Sequence, residues 1–444
     1  MKGNCLRPIN RSACVVGLLL SLLSVGVAAS ESVVVASSFP KEVLVAYKKA
    51  FDERYPQYRV EFVNFPGTHI MSYLADHPAG SRPDVFWSSS ADSFRALLRH
   101  DLLQPIGDRH ETPAKIGGVN IDDAQGFYKG QALSGSGVMW NTRYLAARSI
   151  APPATWSDLV RPEYSGHVVM SSASRSGTTH LIVESILQGA GWEPGWSLIV
   201  QIAGNCATIT DRSFDVPNSV TSGRFGVGLV VDFLALSGKY SGFPVDFSYA
   251  SPSAIIPASI ALVAGARNPA GGATFIDFAL SAEGQRLLLR PEISRLPVLA
   301  EIYSSRDKPA DKPADYPDLV DVIGSNPSVY DPDVSAARHL VVNAIFSQRV
   351  SFRHRELVVV TRAIHAAERL LRQRPNPQAQ ALIEQARGLA YRSGVAESDE
   401  LMSAAPSRAQ VAAIAGREAQ WARQAGSDYA AAKELAEQAL AMLH

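Results

Sequence analysis

Net charge is the first thing missing: 42 basic side chains balance 42 acidic ones. No long-range field therefore draws the chain toward nucleic acid or an anionic membrane. Cysteine is almost missing too. Of three cysteines, Cys5 and Cys14 lie in the amino-terminal segment, which leaves Cys206 alone in the body. One thiol makes no internal disulfide, and a chain of 444 residues builds its core without one. The ten histidines are scattered, with no pair at the i, i+4 spacing of a helical zinc site and none beside a cysteine. A Walker loop and a G-x-S-x-G nucleophile turn are also missing; Ser134-Gly135-Ser136-Gly137 has another register. Gly226-x-Gly228 lacks both a third glycine and a helix behind it. With no nucleophile–base pair, the sequence offers no catalytic residue, no metal site and no cofactor. A binding protein is expected, not an enzyme.

What is present begins with Lys2, Arg7 and Arg11 ahead of an apolar run, Ala13 to Val27, and the small residues Ala28-Ala29-Ser30. That is the pattern of a secretory signal peptide over residues 1–30, and it directs the chain to the periplasm. No later apolar run approaches membrane-spanning length. Ser32-Val33-Val34-Val35-Ala36 reads as a buried strand, Lys41 to Tyr55 as an amphipathic helix and Tyr58 to Val63 as a second strand. Strand, helix and strand with short links make a right-handed parallel unit, whose ligand crevice lies beyond the carboxyl ends of the strands. Ser37 and Ser38 tip the first strand, and Ser88 and Ser89 tip the strand Pro83–Trp87.

A third tip follows the strand His167–Met170. Ser171 to Thr179 carries small hydroxyl residues and a glycine into a helix, so backbone N–H groups and the helix dipole converge on one spot. Ser176, Gly177, Thr178 and Thr179 are read as a cradle for the anionic part of a small ligand. The competing reading gives Ser176 or Thr178 a capping role. Ser213 follows on a later loop. The strand Gly226–Val231 delivers Asp232 to the same rim, either as an acceptor for a ligand hydroxyl or amine or as half of an ion pair with Arg212 or Arg175. The segments Gly130–Asn141 and Ala250–Val263 read as crossings between two bodies.

Taken in series, Arg82-Pro83-Asp84-Val85, Pro153 to Leu159, Pro162 to Gly166, Ser176-Gly177-Thr178-Thr179, Ala264 to Pro269 and Phe278 to Gln285 resemble the extracellular solute-binding proteins of ABC importers. They are similar to the branch of ferric-ion, phosphonate, hexose-phosphate and phosphoglycerate receptors. The resemblance implies an α/β type II periplasmic binding fold: two lobes joined by two hinge crossings, closing on a ligand. Lobe I would take residues 31–133 and 253–305, and lobe II residues 134–252. The implied ligand residues are Ser37, Ser38, Ser88, Ser89, Ser176, Gly177, Thr178, Thr179, Ser213 and Asp232. Ferric-binding members carry paired tyrosines where this chain has Val231-Asp232-Phe233, so an organophosphate fits better than Fe³⁺. The implied partner is an inner-membrane ABC permease, with the receptor itself a monomer.

Residues 306–334 form a charged, proline-punctuated linker, and residues 335–444 a mostly helical extension rich in Ala, Arg and Gln. Helices are expected over Ser335–Phe346, Phe352–Gln373, Gln378–Arg392, Ser407–Gln424 and Tyr429–Leu443. They either wrap the lobes or serve as an arm that docks a sensor kinase in the membrane.

Overall fold

The computed structural model describes residues 30–444, apart from 66, 108–111, 117–118, 305–312, 314, 319–321, 323, 325–329, 398–399 and 404–406. All but Ser30 of the expected signal peptide, and much of the expected linker, lie outside the described residues. Strand β1 (Glu31–Ser37) buries Val33, Val35 and Ala36. Helix α1 (Lys41–Arg54) packs Val43, Leu44, Tyr47 and Phe51 behind it. Strands β2 (Tyr58–Asn64) and β3 (Val85–Ser88) lie parallel to β1 on either side, with Val33 opposite Val60 and Val35 opposite Val85. Asp84 locks this arrangement: one carboxylate oxygen accepts the Val34 N–H at 2.7 Å and the other the Asn268 N–H. Burial pushes the Asp84 carboxyl above its usual range.

Two crossings tie this lobe to the next. Strand β4 (Tyr128–Asn141) runs through both: its first half pairs with β9 (Ile255–Val263), its second with β7 (Val227–Val231) and β8 (Val245–Tyr249). The partner changes between Gly135, opposite Ile255, and Ser136, opposite Val231. Gly137 has no room for a side chain, since a Cβ there would lie 2.2 Å from the Ser248 carbonyl oxygen. Lobe II continues through β5 (Val168–Ser171) and β6 (Cys206–Thr210), parallel to one another and to β7. Among the described residues the sheet has eleven strands, in the order β2-β1-β3-β9-β4-β7-β5-β6, with β8 and two short strands alongside. Across the two crossings, Ser253 Oγ donates to the Ser136 carbonyl at 3.0 Å and Ser136 Oγ accepts the Ala254 N–H at 3.1 Å.

Helices α2 (Ala91–Arg99), α3 (Gly177–Ala190), α4 (Trp192–Asn205) and α5 (Asp232–Tyr240) flank the sheet. The tail adds α6 (Pro332–Phe346), α7 (His354–Gln373), α8 (Pro377–Ala390) and α9 (Arg408–Leu443). α6 starts ahead of the expected Ser335 because Asp331 accepts the Asp333 and Val334 N–H groups and Pro332 fits the first helical position. A π-helical turn, Ser347–Ser351, delays the next helix to His354. The two helices expected over Ser407–Gln424 and Tyr429–Leu443 are one. Asp428, beside the expected break, is buried between Arg349 and Arg392, and Gly426 lies under the Arg353 guanidinium. These contacts hold the backbone helical through a glycine that weakens it only modestly.

One hydrophobic core joins lobe II to the tail. Trp192, Trp196 and Ile199 of α4 share it with Val341 and Phe346 of α6 and with Leu357 and Val360 of α7. Trp192 Nε1 donates to the Val395 carbonyl at 2.6 Å, and Arg338 pairs with Glu184 at 2.9 Å with both side chains buried. The wrapping arrangement describes how α6–α9 sit on lobe II.

Candidate functional site

The carboxyl ends of β1 and β3 meet as the sequence predicts. Ser38 Oγ lies 2.7 Å from Ser88 Oγ, and Ser88 Oγ also accepts the Ser90 N–H at 3.1 Å. Ser37 is fully buried and its hydroxyl accepts the Phe39 N–H, which shapes the turn. Gly67 allows this close packing, since a Cβ there would fall 2.5 Å from Ser88 Oγ. The two serine tips are one surface.

Arg295 joins them. Its Nη1 donates to Ser89 Oγ at 3.3 Å. Its guanidinium lies 4.2 Å from the centre of the Phe39 ring in lobe I and 3.8 Å from that of Phe233 in lobe II. The side chain is 1% exposed, and burial draws its pKa down to about 10, so it stays charged at neutral pH. Nε is buried with no hydrogen-bond partner among the described residues. A buried guanidinium is expensive unless its donors are met, and this one sits at the seam between the lobes with its Nε donor unmet among the described residues. Sequence reading passed over it. The available signal was a single arginine inside the apolar stretch Ile293-Ser294-Arg295-Leu296-Pro297-Val298.

Asp232, at the first turn of α5, is also fully buried. Its Oδ2 accepts the Gly135 N–H at 2.8 Å and the Tyr249 hydroxyl at 3.0 Å, and its Oδ1 accepts the Phe233 N–H at 2.7 Å. Burial raises its pKa to about 6, against the pull of those donors and of Arg295. The expected ion pair with Arg175 or Arg212 gives way to another arrangement. Arg175 reaches Asp211 instead, at 2.9 Å, while Asp232 bonds the crossing strand at the point where it changes lobes.

The loop after β5 is more self-contained than its sequence suggests. Ser176 Oγ accepts both the backbone N–H and the hydroxyl of Thr179, and Thr179 also bonds Ser171. Ser176 therefore caps α3. Ser172 and Ser174 turn toward the tail, where they bond Ser351 and Ser347 at 3.0 and 3.1 Å. Gly177 is exposed and Thr178 half-buried at the open first turn of the helix. Ser213 is half-buried in the turn leading to the helix Asp215–Thr221. Among the described residues no hydrogen bond draws Gly177, Thr178 or Ser213 to the Ser38–Ser88–Arg295 group.

The family model for bacterial extracellular solute-binding proteins matches residues 81–324, over half of the chain. This chain belongs to that family. The solute-binding protein is 35% identical over 318 residues to the phosphoglycerate transport regulatory protein PgtC of Salmonella typhimurium, covering 70% of this chain and 75% of that one. Among solved structures it is similar to the periplasmic binding protein AfuA of Actinobacillus pleuropneumoniae with fructose-6-phosphate bound. There the identity is 19% and the TM-score 0.53, with 65% of this chain and 92% of that one covered. It is similar also to iron-bound HitA of Pseudomonas aeruginosa, at 15% identity and a TM-score of 0.58, covering 71% and 99%. Likenesses at that identity establish the fold. It is the type II periplasmic binding fold, here carrying a helical extension.

Proposed function

We propose that this solute-binding protein is exported to the periplasm and captures a small organophosphate, such as a phosphoglycerate or a hexose phosphate, between its lobes. It would then deliver the ligand to an inner-membrane ABC permease. The observation that carries this reading is Arg295, a buried cation with an unmet donor, held between Phe39 and Phe233 beside serine-tipped strands. A guanidinium supplies paired donors suited to phosphate oxygens, and the stacked rings restrict its orientation. Ser38, Ser88 and Ser89 add neutral donors on one side. Thr178 and the open first turn of α3 are assigned to the same ligand from lobe II, with Ser213 at the rim. Asp232 supports the site from behind by fixing the crossing strand.

The same cation argues against Fe³⁺, which prefers hard anionic oxygens and is repelled by a guanidinium. The relative named for phosphoglycerate transport regulation supports an organophosphate. Its regulatory name also favours a second reading, in which the receptor signals to a membrane sensor through the tail. Binding without turnover suffices for both. A thermal-shift screen of the chain from residue 31 against 3-phosphoglycerate, fructose 6-phosphate, a phosphonate and ferric citrate tests the proposal. Stabilisation by a phosphate ester is expected, and stabilisation by ferric citrate alone would reject it.

A further inference from the structure

The tail is built onto lobe II, yet its first helix reaches lobe I. Tyr316 and Val322 pack with Leu296 and Ile302 of lobe I, Tyr316 also stacks on Tyr240 of lobe II, and Tyr330 packs with Leu181 and Val231 of lobe II. From there α6 lies along α3: His180 bonds Ser335 and Asn343 at 3.2 and 3.0 Å, and Arg338 is buried on Glu184. The amino-terminal end of α6 faces α2 of lobe I, the helix that follows the serine tip Ser88–Ser90. Asp333 pairs there with Arg95, and His339 lies within the field of Asp92, one of whose carboxylate oxygens is buried and unpartnered among the described residues. Tyr330 also packs in the cluster that includes Phe233, the ring stacked on Arg295.

These contacts form a strap. A body fused to lobe II grips lobe I at α2, and its foot shares a cluster with the ring that covers the candidate ligand arginine. In a hinged receptor such a grip exists only while the lobes are together. We propose that the tail is a closure latch: it travels with lobe II, engages α2 through the Asp333–Arg95 pair as the cleft shuts, and slows ligand escape. The latch thereby converts the state of the cleft into the seating of a surface helix. This builds on the ligand reading above, but the contact itself does not depend on it.

The test replaces Arg95 and Asp333 by cysteine in the chain from residue 31, which leaves out Cys5 and Cys14. Both are surface positions, Arg95 at 31% and Asp333 at 75% side-chain exposure, and the one other thiol of the described residues, Cys206, is buried. Oxidation should join the pair in good yield. Two readouts separate the latch from the ligand assignment. Hydrogen exchange at Gly135, Ser136 and Ala254 should slow at least several-fold in the oxidised protein, with or without ligand, and recover on reduction. The dissociation rate of 3-phosphoglycerate should fall at least tenfold on oxidation. If neither oxidation nor a short bismaleimide joins the cysteines, or if hinge exchange is the same joined and unjoined, the latch is wrong. Slowed exchange with no 3-phosphoglycerate binding in either form would leave the latch standing and overturn the ligand assignment.

Discussion

At the scale of single residues, two buried ionisable groups within one electrostatic field divide the work. Among the described residues Arg295 keeps a donor without a partner, whereas Asp232 has both oxygens occupied. Arg295→Gln removes the charge and half of the fork, and the affinity for 3-phosphoglycerate should fall by about 2–5 kcal/mol, the usual loss when one partner of a buried charge pair is truncated. Arg295→Lys should recover only part of this, because an ammonium neither stacks nor forks. Titration calorimetry of the three proteins checks both. Thr178→Val keeps volume and removes a donor, so binding should weaken by about 1–3 kcal/mol if that hydroxyl meets a phosphate oxygen. Unchanged affinity would return Thr178 to a structural role at the start of α3.

Asp232 makes a prediction about pH. Its folded pKa of about 6 lies above the ordinary carboxyl value of 3.8, so the folded chain holds a proton that the unfolded chain releases between those limits. Its contribution to stability is fully present below pH 3.8 and is lost as pH rises through 6. Relative to wild type, Asp232→Asn should therefore gain roughly 3 kcal/mol between pH 3.5 and pH 7, read from denaturant unfolding. A difference that does not vary with pH would show that the carboxyl titrates normally.

At the scale of elements, the parts of the sequence with local periodicity were legible. The parallel unit β1–α1–β2 lies where alternation and turn residues put it, while β3 begins at Val85, two residues after the expected Pro83, and the crossing strand at Tyr128, two before the expected Gly130. The motif residues Arg82, Asp84 and Asn268 owe their pattern to a clasp: Asp84 takes the Asn268 N–H and Arg82 donates to the Ala264 carbonyl at 3.0 Å. Arg295 was not legible, because nothing local says that Phe39 and Phe233 will close on it from both lobes. The continuity of α9 was hidden for the same reason, since Arg349 and Arg392 come from far along the chain to hold Asp428.

His180, one residue past the cradle, shows what the tail does to α3. It is buried against α6, and burial lowers its pKa to about 3. A depressed folded pKa means stability that is present above the unfolded value and lost as pH falls. Acidification from pH 7 to pH 5 should take about 2 kcal/mol from the seat of α6 on α3 through His180. Hydrogen exchange in Pro332–Phe346 should speed up accordingly, and His180→Asn should flatten that dependence. Exchange that ignores pH in wild type would remove His180 from this role.

At the scale of the whole molecule, the chain is a two-lobed receptor whose second lobe has been enlarged by a helical body sharing its core. Such a tail stays put when the lobes part, so lobe II and α6–α9 should unfold together as one cooperative unit. Deleting residues 330–444 would expose the apolar face of α4, including Trp192 and Trp196, and should yield an aggregating protein instead of a minimal receptor. Light scattering after purification decides this, and a monodisperse, ligand-binding truncation would contradict the shared core.

Central to all of this is the claim that a buried arginine at the seam of the lobes receives the anion. Calorimetric titration of wild type and Arg295→Gln with 3-phosphoglycerate, fructose 6-phosphate and ferric citrate, side by side, tests it most directly. The account predicts saturable binding of a phosphate ester by wild type, at least thirtyfold weaker in the variant, and no binding of ferric citrate by either. Tight ferric binding that survives loss of the guanidinium, with no response to either ester, would contradict it.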